Sequence, residues 1–201
     1  GDSGHITEAD TNSEIYTVPH YAQMLKSFLT NQHLNNVIAV GHSLGGHVTT
    51  ALSKIFNLEA LVNIQNTPIN TSADVANALS QDPSFQQLFN PEVTDEGLSA
   101  LASHFFKGSP SPTFSDDFKN SDPNCRKNLV ISMTSGIVLD EIQYLKELNI
   151  PYKLIVGKND PFTSTAYIKS LNLSDSVILL DSLHYPMLEI PQEINSTLSK
   201  Y

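Results

Sequence analysis

The stretch "VIAVGHSLGGHVTT" (37–50) sets Ser43 between His42 and Leu44, with Gly41 and Gly45 on either side. A serine hydroxyl is a weak nucleophile until a neighbouring base takes its proton during attack on a carbonyl carbon. The spacing G-x-S-x-G has a mechanical meaning where it follows a strand and opens a helix. There the serine sits on a strained turn, and glycines remove Cβ atoms that the turn would bring into collision. Bare matches to this pattern are common, so the surrounding elements decide its weight.

Those elements are the right ones. "VIAV" (37–40) is a continuous apolar run, as in a parallel strand covered on both faces, and a helical pattern of small and apolar residues resumes from 45 to 56. Upstream, residues 14–34 place Tyr21, Met24, Leu25, Phe28 and Leu29 at helical spacing with Pro19 near the first turn, and Asn35-Asn36 breaks the pattern. Downstream, "EALVNIQNTP" (59–68) reads as a second strand stopped by Pro68, "PYKLIVG" (151–157) as a third and "SVILL" (176–180) as a fourth. Helical patterns follow the last two. Between the second and third strands lie helical stretches such as "TSADVANALS", "DEGLSALASHFF" and "SGIVLDEIQYLKELN", joined by Ser/Pro/Asp-rich segments including "KGSPSPTFSDD". This alternation predicts an α/β fold, a parallel sheet with helices on both faces.

Composition narrows the partners. The chain has 201 residues and a formal charge of −10 with no Lys/Arg cluster, which argues against nucleic acid or an anionic membrane as partner. Its apolar runs are far shorter than the roughly 20 residues that a membrane span needs. Cys125 is the single cysteine, so no internal disulfide is expected. No His/Cys/Asp/Glu set stands at metal-ligand spacing, and neither a metal nor another cofactor is expected. The opening "GDSGHITEAD" has no charged n-region or apolar h-region, so a cytoplasmic chain is the expectation.

With "GHSLGG" lying between strand and helix, the chain resembles the α/β-hydrolase family at that family's nucleophile elbow. The resemblance implies a hydrolase core over 1–68 and 152–201, with a helical cap, or lid, inserted at 69–151. It also implies a chain order of nucleophile, acid, histidine. On that order Asp160, in "LIVGKNDPF", is the acid, and Asp140 and Asp181 are its competitors. His184, after "VILLDSL", is the histidine; His5, His20, His33, His42, His47 and His104 fit the position less well. Ser43 would then attack, His184 would carry the proton, Asp160 would orient the ring, and the amide of Leu44 would donate to the oxyanion. Serine rather than aspartate at the elbow favours acyl chemistry over dehalogenation or epoxide opening, so a carboxylesterase is expected. A looser likeness to metal-independent acyl-homoserine lactonases comes from the segments "NIQNTPI" and "GKNDPFTSTAYI" flanking the cap.

Aromatic residues at helical spacing in the insertion read first as its own core. Phe85 and Phe106, with His42 beside the nucleophile, are the substrate-facing candidates, and the expected substrate is a small apolar ester or lactone. "GDSGH" looks like the tail of the family's second oxyanion loop, so the fold is expected to be N-terminally incomplete. The strand at 37–40 would then pair with a missing segment or with a second copy. The alternatives are a non-catalytic small-molecule binder on the same scaffold and an inactive fragment of a longer hydrolase.

Overall fold

Four short apolar runs, Ile38–His42 (β1), Ala60–Ile64 (β2), Tyr152–Gly157 (β3) and Val177–Leu180 (β4), form one sheet. They belong to a computed structural model that describes residues 15–79, 83–90, 92–108, 110, 112–134 and 140–201. Every pairing is parallel, and the spatial order β1-β2-β3-β4 follows the chain. Parallel neighbours need crossover connections. Leu44–Ser53 (α2) makes the first and Thr165–Ser170 (α8) the last.

The strand period of two divides the core. Leu61, Leu154 and Val156 enter a large apolar cluster with Val48 and Leu52 of α2 and Ile168 of α8. Val62, Ile64 and Ile155 point to the other face, where the short helix Pro186–Glu189 (α9) is followed by Pro191–Leu198 (α10), whose Ile194 covers them. β1 departs from the expected burial on both faces. Ala39 enters the large cluster, but Ile38 and Val40 are exposed, Val40 at 46%. The cover provided by α10 lies over β2 and β3, and among the described residues no strand pairs with the outer edge of β1.

Val18–Asn31 (α1) begins at Thr17, whose hydroxyl accepts from the His20 amide at 3.2 Å. Left-handed conformations at His33 and Asn36 follow it, as the Asn35-Asn36 pair predicts. Its expected apolar stripe is only partly used. Tyr21 and Leu29 rest on the core, while Met24 and Leu25 are exposed and Phe28 is 56% exposed. The helix meets its neighbours through the buried Val18 and Ala22 instead, a face whose small alanine allows close approach to α2.

Between β2 and β3 run Ser72–Ala78 (α3), a 3-10 turn at Pro83–Leu88, Asp95–Phe105 (α4), Phe114–Asn120 (α5), Pro123–Thr134 (α6) and Glu141–Lys146 (α7). α5 starts inside the segment expected to be a joint, where the Thr113 hydroxyl bonds the Asp117 carboxylate at 2.7 Å. α6 begins with Pro123, a residue suited to a first helical turn. The helix expected over 135–149 is found only as α7. Residues 135–139 lie outside the described residues, and Asp140 is left-handed at φ 49°.

Both ends of this segment are fastened at one place. The Ile69 amide donates to Glu141 Oε2 at 2.9 Å, and the Ile142 amide donates to Asn70 Oδ1 at 2.7 Å. Glu141 also holds His47 Nδ1 of α2 at 2.8 and 2.9 Å, with both side chains buried. No helix among the described residues is long and apolar enough to cross a membrane.

Candidate active site

Ser43 stands between the last residue of β1 and the first of α2, at φ 52° and ψ −120°. A positive φ is costly for a residue with a side chain and persists only where its surroundings impose it. Here the Ser43 amide donates to Ile64 O at 2.8 Å, and the Gly46 amide donates to Ser43 O at 2.9 Å. A Cβ on Gly41 would lie 2.3 Å from Gly45 O, and one on Gly46 would lie 2.4 Å from Asn66 Cβ. Gly45, the second glycine of the motif, has open space where its Cβ would go. The steric demand thus falls on Gly41 and Gly46. Beneath the turn, Thr49 Oγ1 donates to Asn63 Oδ1 at 3.0 Å, and Asn63 Nδ2 donates to Thr50 Oγ1 at 2.8 Å, fixing α2 to β2.

His184 lies on the loop after β4, and Gln65 anchors that loop. This buried residue, at φ 50°, accepts from the Gly157 amide at 3.0 Å through Oε1 and donates through Nε2 to Leu183 O. Gly157 permits the approach, since a Cβ there would lie 2.4 Å from Ser182 O. The Leu183 amide donates to the Glu189 carboxylate at 3.1 Å.

Asp160 follows β3 on the turn that Pro161 continues. Its Oδ1 accepts from the Phe162 amide at 2.9 Å, and its Oδ2 meets His184 Nδ1 at 2.9 Å. Asp160 is 4% and His184 3% exposed, so the bond lies in a medium that strengthens it. A proton on Nδ1 facing the carboxylate leaves Nε2 as the basic nitrogen.

Of the competing carboxylates, Asp181 takes the Asn159 amide nitrogen and Asp140 is exposed at the start of α7. Among the other described histidines, His47 belongs to Glu141, His104 lies against Phe85, and His20 and His33 lie on or just beyond α1. His5 and the "GDSGH" segment lie outside the described residues.

His42 links the Ser43 turn to this pair. Its Nε2 donates to His184 O at 2.8 Å, and its ring centre is 5.0 Å from that of His184. Burial, reinforced by the neighbouring His184, pushes the His42 pKa down to about 4 and keeps the ring neutral. Among the described residues no hydrogen bond joins the Ser43 hydroxyl to the His184 ring; the link between their segments is His42, the chain neighbour of Ser43, on the His184 carbonyl.

Phe85 is buried behind Phe162 and Phe105, at 4.9 and 5.8 Å between ring centres. Phe106 stacks on Tyr185 at 4.7 Å with ring planes 4° apart, and both line a groove of about 390 Å³ with Phe114, Phe118 and Leu188. Sequence reasoning did not single out Gln65, Phe162, Tyr185 or the His47–Glu141 pair. Tyr185 follows His184 directly and Phe162 follows Asp160-Pro161, so adjacency to the expected acid and histidine was the available signal.

No family model matches the chain. A Mycoplasma genitalium protein named "Putative esterase/lipase 2" is 27% identical over 187 residues, which are 87% of this chain and 65% of that protein. The chain therefore spans just under two thirds of the relative's length. Among solved structures, that of the N-acyl homoserine lactonase AidH with N-butanoyl homoserine superposes with a TM-score of 0.85 at 18% identity, over 96% of this chain and 73% of that one. The fold is that of the α/β-hydrolases. The structure of a putative aryl esterase from Burkholderia cenocepacia shares this fold at a TM-score of 0.74 and 21% identity, covering 96% of this chain and 73% of that one. At such identities the α/β-hydrolase likeness concerns the fold, and the chemistry must be argued from this chain's own residues.

Proposed function

We propose that the protein is a serine hydrolase of carboxylic esters or lactones, with Ser43 as nucleophile, His184 as general base and Asp160 as the residue that orients it. The buried Asp160–His184 bond carries this reading, because it leaves Nε2 as the proton acceptor on a residue whose carbonyl is held by His42, the chain neighbour of Ser43. In the first step Ser43 Oγ bonds to the carbonyl carbon and its proton moves to His184 Nε2. The charge that develops on the carbonyl oxygen meets the Leu44 amide at the start of α2. His184 then returns the proton to the departing alkoxide, and water repeats the sequence on the acyl-enzyme.

The names of the relatives support the same chemistry, esterase/lipase in one case and lactonase in another. The groove beside Tyr185, walled mainly by aromatic and aliphatic side chains, favours an apolar acyl or alkoxy group. Residues 69–151 act as the lid that carries much of this wall. The outer edge of β1 is where a further strand would pair, from a longer chain or a second copy, and light scattering of the purified chain distinguishes a monomer from an assembly.

Turnover of p-nitrophenyl acetate and butyrate, compared with Ser43→Ala, tests the reading. Loss of the nucleophile is expected to lower kcat on the order of 10⁶-fold, and equal rates would remove the enzyme. Labelling of Ser43 by a fluorophosphonate reports the same activation without a substrate.

A further inference from the structure

Four rings enclose His184. Phe162 and Tyr185 stand nearly perpendicular to it, at 83° and 86°, and His42 is inclined at 63°. Phe105 differs from all three. It projects from the end of α4 and lies face to face with the imidazole, 4.6 Å between centres and 22° between planes, at 2% exposure. An aromatic face carries negative electrostatic potential and attracts a cation placed over it, more strongly where water is excluded. The proposed reaction creates such a cation whenever the Ser43 proton moves to Nε2.

We propose that Phe105 is a positioning residue for this reaction: its ring face stabilises the protonated imidazole of His184, so the docking of α4 sets the strength of the base. The inference rests on the hydrolase reading. The titratable groups facing His184 are Asp160 from the β3 loop, His42 from β1 and Tyr185 from its own loop, with Glu189 held on the Leu183 amide. Asp160 is engaged at the Nδ1 edge, and His42 stays neutral near pH 7. Phe105 therefore covers the π-face of the ring that the carboxylate leaves uncovered.

The test replaces Phe105 in the full chain with 4-fluoro-, 3,5-difluoro- and pentafluorophenylalanine, which keep the ring's shape while draining its face of negative potential. Wild type and variants are assayed on p-nitrophenyl butyrate across pH, with circular dichroism melts as the check on folding. kcat/KM is expected to fall stepwise, by about 3- to 30-fold at five fluorines, and the acidic limb of its pH profile to move to lower pH in the same order. Phe105→Leu is expected to move the limb the same way. An active wild type with a flat series overturns this inference alone, as does a fall in kcat/KM with an unmoved acidic limb, which would signal packing damage. A wild type inert toward every ester overturns the hydrolase reading and this inference together.

Discussion

Gly157→Ala is a one-methyl change that moves the proposed base without touching it. The added Cβ would lie 2.4 Å from Ser182 O and 2.5 Å from both Gln65 Nε2 and Leu183 O, about 1 Å short of ordinary contact at each. Two of the three are backbone carbonyls of the loop that carries His184, so relief requires that loop to retreat from β3. Moving it would also stretch the Gln65–Leu183 bond. Overpacking of this kind costs about 1–3 kcal/mol, and a displacement near 1 Å at a reacting group costs roughly 10²-fold in rate. Urea unfolding should show the loss of stability. At a temperature where circular dichroism shows the variant folded, kcat/KM on p-nitrophenyl butyrate should fall on the order of 10²-fold, with slower fluorophosphonate labelling of Ser43. A folded variant with wild-type kcat/KM would refute the argument that Gly157 and Gln65 set the position of His184.

Other outcomes follow from the same geometry. Asp160→Asn keeps the shape but loses the charge that holds the Nδ1 proton, and kcat should drop about 10³- to 10⁴-fold with little change in the melting temperature. His42 has a folded pKa of about 4 against 6.5 when unfolded, so the unfolded chain binds the extra proton between these values and stability falls as pH drops from 6.5 toward 4. Urea titrations of wild type and His42→Gln at pH 5 and 7 should show the wild type losing about 1–2 kcal/mol more than the variant on acidification. Glu141→Ala leaves the Ile69 amide and His47 Nδ1 buried without their partner and should cost about 2–4 kcal/mol in the same assay, Glu141→Gln distinctly less.

Much of this was readable before any coordinates. Short apolar runs separated by helical patterns carry a parallel sheet in their own spacing, and all four strands fall within the runs that predict them or within two residues of them. The Gly-rich turn at Ser43 was legible because glycines around a serine at a strand-to-helix junction have few other uses, and the Asp160–His184 bond joins the two residues that the α/β-hydrolase resemblance singles out by chain order and by their places after β3 and β4. What escaped is of another kind. α6 has no strong apolar period, and α5 hides in a Ser/Pro-rich stretch, since a short helix packed on neighbours needs no amphipathic signature. Gln65 and Glu141 bridge residues 92 and 94 positions distant, and polar contacts at that separation leave no local pattern. The exposed stripe of α1 shows the converse: the period was present, yet a different face of the helix was buried.

The fastening of Ile69, Asn70, Glu141 and Ile142 to His47 bears on how this protein can be altered. A loop whose two feet share one post presents the sheet with a closed boundary, so the segment between those feet can be shortened, lengthened or exchanged while the junction itself stays as built, provided that α4 still lays Phe105 on His184. If the hydrolase reading holds, substrate choice is then open to change by grafting between those feet, with Phe105 and the proposed residues at the ends of β1, β3 and β4 kept.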